Sequence, residues 1–195
     1  MTANKHVALD LDDVILDFVG GILRWLKTEY SAEVDPEKIV DFNLRPFLDP
    51  IIGKNWWTAF RERDWLWPNF DAVPGAIGAI EQLRREGWYL EIVTSKPDWA
   101  EYATWKWLGK WRPKVQRVTI IGPEDNKADY TTAPVLVDDK ADNIREFIEA
   151  GRQGILFTRP HNRNANIPGA IRAGGWADVL DLLRASDGTF PQEDK

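Results

Sequence analysis

The sequence predicts an α/β fold: a parallel sheet covered by helices on both faces, with a small helical cap inserted after the first strand. Three patterns predict it. Short continuous apolar runs alternate with amphipathic segments at helical spacing, the order that a parallel sheet with crossover helices requires. Several of these runs end in oxygen-bearing side chains. Between residues 31 and 72 the alternation stops, and prolines at 36, 46, 50 and 68 cut the chain into short amphipathic pieces.

Residues 6–12 read as the first strand, and the helix after it carries Ile15, Phe18, Val19, Ile22, Leu23 and Leu26 at helical spacing. Residues 19–72 then form the inserted cap. Pro74 and Gly75 open a second core helix with Ile77, Ile80 and Leu83 on one face and a C-cap at Gly87. The strand "WYLEIVT" follows, then a helix over 97–111, a strand over 117–121, and a strand over 134–139. "NIREFIEAG" is a helix ending at Gly151, "GILFT" a fifth strand and "WADVLDLLRA" the last helix. The predicted layout is an α/β core over 1–18 and 73–185, a cap over 19–72 and a flexible tail over 186–195.

With 195 residues, one domain carrying an insertion has enough chain to bury a real core. A net charge of -6 argues against a nucleic-acid polymer as partner, since phosphate-backbone binding wants a basic surface. The chain has no cysteine, so disulfides, thiolate metal sites and thiol nucleophiles are excluded; any metal sits on oxygen or on His6 and His161. No apolar run reaches the length of a membrane span, and the start of the chain lacks a signal-like apolar stretch, so the expectation is a cytoplasmic protein with no membrane partner.

The chemistry-bearing residues gather at strand ends. Strand one ends in Asp10, Asp12 and Asp13, the second in Thr94 and Ser95, the fourth in Asp138 and Asp139. In an open parallel sheet, ligands bind outside the carboxyl ends of the strands. Aspartates there also form turns and cap helices, but acidic pairs on two separate strands point to a hard cation such as magnesium, which takes carboxylate oxygens, waters and a substrate phosphate.

"ALDLDDVILDF" resembles the nucleophile motif of the haloacid dehalogenase-like (HAD) phosphatases. "LEIVTSKP" is similar to their second motif and "VLVDDKAD" to their acidic fourth. Lys127 matches the lysine of the third motif, with Lys96 and Lys114 as rivals. Together with "VPGAIGAIEQL" and "ILFTRPHN", these runs resemble the 5'(3')-deoxyribonucleotidase branch along nearly the whole chain outside the insertion.

The resemblance implies a Rossmann-like core and a magnesium-dependent phosphomonoesterase acting on (deoxy)ribonucleoside monophosphates. Asp10 would attack phosphorus to give an aspartyl-phosphate. Asp12 would protonate the leaving alkoxide and later activate water. Asp10, the Asp12 carbonyl and Asp138 would hold the cation, with Asp139 assisting or replacing Asp138. Thr94 would bond a phosphate oxygen, and Lys127 would steady the charge on the transferring group. Ser95 and Lys140 would stand near base or sugar. Asp13, where the family often has Gly, reads as a solvated or helix-capping residue.

The eleven tryptophans lie mostly between Trp56 and Trp111. Flat aromatic faces suit a nucleobase, and Phe18, Trp57 and Phe60 are the candidates to face it. The rest read as packing, Trp99, Trp105, Trp107 and Trp111 included, and exposed members leave a homodimer open. His161 reads as a surface-loop histidine before it reads as a pocket residue. Two other functions compete: a phosphatase for a small sugar or organic acid phosphate, and a non-catalytic phosphate-binding domain, which would normally lose Asp10 or Asp12. A dehalogenase would lack Asp12, and a dinucleotide binder would carry G-x-G-x-x-G after the first strand.

Overall fold

The computed structural model describes residues 5–63 and 65–186. Its strands are β1 His6–Leu9, β2 Tyr89–Ser95, β3 Arg117–Ile121, β4 Val135–Asp138, β5 Gln153–Phe157 and β6 Ile171–Ala173. They form one all-parallel sheet in the order β3-β2-β1-β4-β5-β6. β1 and β4 lie in the middle and are buried on both faces, which is why both read as uninterrupted apolar runs. The sequence gives no sign of β6: its three residues, one of them the exposed Arg172, make no apolar run.

The helices are α1 Phe18–Tyr30, α2 Arg45–Ile52, α3 Trp56–Arg61, α4 Ala76–Arg85, α5 Glu101–Trp111, α6 Ala141–Glu149 and α7 Trp176–Ser186. α1, α4, α5 and α7 pack on one face of the sheet through Ile22, Ile80, Trp107 and Val179. Ile144 and Phe147 of α6 cover the other face, with Ala8, Val93 and Leu136. Among the described residues no helix is long and apolar enough to cross a membrane.

The inserted segment leaves and re-enters the core at one place. Leu16 and Ala72 form an antiparallel bridge, and the Asp17 and Val73 amides donate to the Asp71 and Ile15 carbonyls at 2.9 and 2.8 Å. The Phe70 carbonyl accepts from the indoles of Trp107 and Trp111 on α5 at 2.9 and 3.1 Å. The segment's apolar residues Leu48, Trp56, Phe60, Trp67 and Phe70 belong to the same buried cluster as β1, β2 and α5. Its core is therefore continuous with that of the sheet. Of the expected tail, Ser186 closes α7, and 187–195 lie outside the described residues.

Candidate active site

The strand order reverses direction at β1 and β4, and the crevice outside their carboxyl ends is where such a sheet offers a site. Register explains why the aspartates meet there. Leu9 pairs with Val137, and the Asp10 amide donates to the Val137 carbonyl at 2.9 Å, so Asp10 and Asp138 are carried to neighbouring positions. Thr94, buried near the end of β2, completes this floor.

Lys127 joins the two carboxylates: its Nζ donates to Asp10 Oδ1 at 2.5 Å and to Asp138 Oδ2 at 2.6 Å. Asp138 also accepts from the Lys140 amide at 2.8 Å and from Asn143 Nδ2 at 2.9 Å. Burial alone would depress the Lys127 ammonium, but the Asp10 and Asp138 carboxylates override it and push its pKa up. Burial, Asp10 and Asp139 lift Asp138 to about 7 against the opposing pull of Lys127. Desolvation, with help from Asp10 and Asp139, raises Asp12 despite Lys96 beside it.

Lys96 answers Asp12 and Lys127 answers Asp10, so two of the three candidate lysines enter the site; Lys114 is exposed and outside it. The contact between Lys96 and Asp12 was not anticipated. Extending the strand alternation by one step past Ser95 puts Lys96 on the same side as Thr94, a signal that was available.

Asp13 is buried, not solvated. Its backbone adopts φ 54°, its Oδ1 accepts from the Val19 amide at 3.0 Å at the start of α1, and its carbonyl accepts from Arg159 Nε at 2.7 Å. Burial and the Asp139 charge lift its carboxyl to about 8. His161 also departs from expectation. Its side chain is buried at the cleft edge with Nε2 2.9 Å from Asp139 Oδ2. Burial opposes the imidazolium, yet Asp139 holds its pKa above the usual value. The neighbouring Asn162 draws the loop in by donating to the Asp139 and Phe157 carbonyls at 2.7 and 2.8 Å.

Asp10, Asp138 and Asp139 each present a carboxylate oxygen within 4.8 Å of the others. With Asp12 and Asp13 they crowd negative charge into a buried place, and burial first, then the neighbouring carboxylates, pushes Asp138 and Asp13 towards protonation. Such a buried all-oxygen set with surplus negative charge suits a hard divalent cation.

Above this floor opens a cleft of about 340 Å³, lined by the rings of Phe18, Trp56, Trp57 and Trp67 and by the polar side chains of Thr94, Ser95, Lys140 and His161. Trp57 is 45% exposed and stacks on Trp56 with ring centroids 3.9 Å apart. Phe42 at the rim meets His161 edge-on at 5.7 Å and takes the Lys140 ammonium at 5.5 Å from its ring. Phe60 is 2% exposed and does not line the cleft. It shares the inward side of α3 with Trp56, one turn away, and packs among Phe18, Trp25, Trp67 and Phe70.

The model of the family described as "5' nucleotidase, deoxy (Pyrimidine), cytosolic type C protein" matches residues 4–187. A 5'(3')-deoxyribonucleotidase of Bacillus subtilis is 24% identical over 180 residues, covering 90% of this chain and 96% of the relative. A mitochondrial 5'(3')-deoxyribonucleotidase of Mus musculus is 24% identical over 196 residues, covering 92% and 86%. Among solved structures, a HAD family hydrolase from Deinococcus radiodurans with bound phosphate and sodium matches with a TM-score of 0.68 at 17% identity, covering 98% of this chain and 100% of that one. A HAD-hydrolase from Bacillus subtilis bound to magnesium matches with a TM-score of 0.63 at 15% identity, covering 93% and 99%.

Proposed function

The chain belongs to the deoxy (pyrimidine) cytosolic type C 5'-nucleotidase family and is a phosphoric monoester hydrolase, and from that premise we propose that it dephosphorylates (deoxy)ribonucleoside monophosphates with magnesium as cofactor. The observation that carries this reading is the Lys127 bridge between Asp10 and Asp138, set beneath a cleft walled by aromatic rings.

Asp10, Asp138 and Asp139, with the Asp12 carbonyl, would hold the cation. A hard cation bound there screens the repulsion between a carboxylate nucleophile and a phosphate dianion. An Asp10 oxygen attacks phosphorus; the bond to Asp10 forms as the bond to the ester oxygen breaks, leaving an aspartyl-phosphate. Asp12 gives its proton to the departing alkoxide, then takes one from the water that hydrolyses the aspartyl-phosphate. Its raised pKa suits both directions of transfer. Lys127 stabilises the negative charge spread over Asp10 and the transferring group, and Thr94 donates to a phosphate oxygen. Phe18 and Trp57 offer faces to the base, and Ser95 and Lys140 in the same cleft offer polar contacts.

The test is phosphate release from deoxyribo- and ribonucleoside 5'-monophosphates and from sugar phosphates, with magnesium or with chelator, alongside Asp10→Asn. Magnesium-dependent turnover of nucleotides that Asp10→Asn abolishes is the expected result. Turnover restricted to sugar phosphates would overturn the substrate and keep the chemistry. No turnover of any phosphomonoester would overturn both.

A further inference from the structure

We propose that Lys96 is the positioning residue of the Asp12 carboxyl, and that Trp67 ties this role to the inserted segment. The inference rests on the phosphatase reading above and concerns how its proton donor is held.

Lys96 directly follows β2, and its amide donates to the Ile121 carbonyl at 2.8 Å, so its backbone is fixed by the neighbouring strand. The residue is only 3% exposed. Lysines are almost never this buried unless their charge is answered. The ammonium meets Asp12 Oδ2 on one side and lies 4.6 Å from the centre of the Trp67 ring on another. An ammonium over an indole face is attracted by the ring's quadrupole, more strongly where water is excluded.

Asp12 needs such a tether. Among the described residues, Lys96 is the sole side chain that bonds its carboxylate, and Oδ1 has no partner at all. Asp138, by contrast, is fixed from three directions by Lys127, Asn143 and the Lys140 amide. Without Lys96 the Asp12 carboxyl is free to rotate, and a misplacement of about 1 Å in a reacting group can cost about a hundredfold in rate. The two buried lysines thus divide the work: Lys127 serves the nucleophile and the acidic cluster, Lys96 the proton donor.

Trp67 itself is held by Phe18, Phe60 and Trp99, with ring centroids 5.1, 5.6 and 6.0 Å away. The place of the ammonium, and through it of Asp12, is therefore set partly by the aromatic floor of the inserted segment.

A role in positioning the proton donor differs from general charge compensation in its dependence on the leaving group. A sugar alkoxide must be protonated as it departs, whereas p-nitrophenolate leaves without help. The experiment compares kcat/KM for a deoxynucleoside 5'-monophosphate and for p-nitrophenyl phosphate, since this ratio reports the steps through P–O cleavage of the substrate and not the later hydrolysis of the aspartyl-phosphate. Lys96→Met is expected to lower the nucleotide value by about a hundredfold and the p-nitrophenyl value by no more than about threefold. Lys96→Arg, which keeps charge and donors, should restore most of the loss. The Trp67 ring also lines the cleft, so Trp67→Leu should lose about tenfold on base-free deoxyribose 5-phosphate as well as on the nucleotide, with p-nitrophenyl phosphate spared. A loss confined to the nucleotide would be a lost base contact and overturn its part in the proposal. If Lys96→Met does not fold, the Lys96→Arg and Trp67→Leu pair carries the comparison. Equal losses for the two leaving groups, or no loss with the nucleotide, overturn the proposal. If the wild-type protein hydrolyses sugar phosphates and not nucleotides, the nucleotide reading fails alone, and a sugar phosphate takes the alkyl ester's place in the same test.

Discussion

The Lys127 ammonium lies 2.5 Å from Asp10 Oδ1, across 117 residues of chain. Its second carboxylate, Asp138, is wholly buried, so both lean on one cation. Removing one partner of a buried ion pair leaves the other uncompensated, which costs about 3–5 kcal/mol. Lys127→Met should lower the melting temperature strongly in chelator and less with magnesium, which can take over the carboxylates. Its kcat should fall by about a hundredfold or more even with magnesium, because the developing negative charge loses its donor. Phosphate-release kinetics and thermal melts check the two halves separately.

The acidic cluster gives the protein an unusual response to pH. Asp138 and Asp13 are held at about 7 and about 8 when folded and return to about 3.9 when unfolded. A carboxyl raised in the folded state contributes stability that is complete below its unfolded pKa and is lost as pH rises through the folded one. In chelator the melting temperature should therefore decline from about pH 5 to about pH 8.5, and magnesium should flatten or reverse the decline. A flat profile in chelator would contradict the raised carboxyls.

Asp13 combines a left-handed backbone with a buried carboxylate. The left-handed conformation costs a non-glycine residue about 1–2 kcal/mol, while the lost hydrogen bond to Val19 costs about 1 kcal/mol. At alkaline pH the charge repulsion from Asp139 adds to the first term. Asp13→Gly should raise the melting temperature of the metal-free protein, and more at about pH 8.5 than at about pH 5. Thermal melts at both values decide it.

Phe60 and Trp57 lie on one short helix and should respond in opposite ways. Phe60→Ala empties the centre of an aromatic cluster and should cost about 3–5 kcal/mol. Trp57→Ala removes a half-exposed ring and should cost far less stability, while raising KM for a nucleotide by about tenfold with little change in kcat. Denaturant unfolding and steady-state kinetics on both variants separate packing from substrate contact.

Where the sequence was readable, physics left a local mark. β1 and β4 are buried on both faces, so each is an unbroken apolar run, and β2 is nearly one, interrupted only by the buried Glu91; the ends of the three strands carry Asp10, Thr94 and Asp138 to one crevice. β6 is a short edge strand without that mark. The contacts that escaped notice join distant parts of the chain: Lys96 reaches Asp12 across 84 residues, and His161 turns inward to Asp139 from a loop whose composition looks exposed. Among the cap aromatics, spacing alone does not distinguish Trp57 from Phe60, because whether a ring meets solvent or another ring depends on Trp25 of α1 and on Trp99 just ahead of α5.

The shared core beneath the inserted segment limits how it can be engineered. Its underside is finished by Trp107 and Trp111 of α5, whose indoles grip the Phe70 carbonyl, and its two ends are stitched together at Leu16 and Ala72. Transplanted alone onto another α/β scaffold, residues 19–72 would carry an apolar base without its floor and should aggregate. Redesign of ligand choice belongs instead at rim positions such as Phe42 and Trp57, where a side chain can change without unpicking that seam.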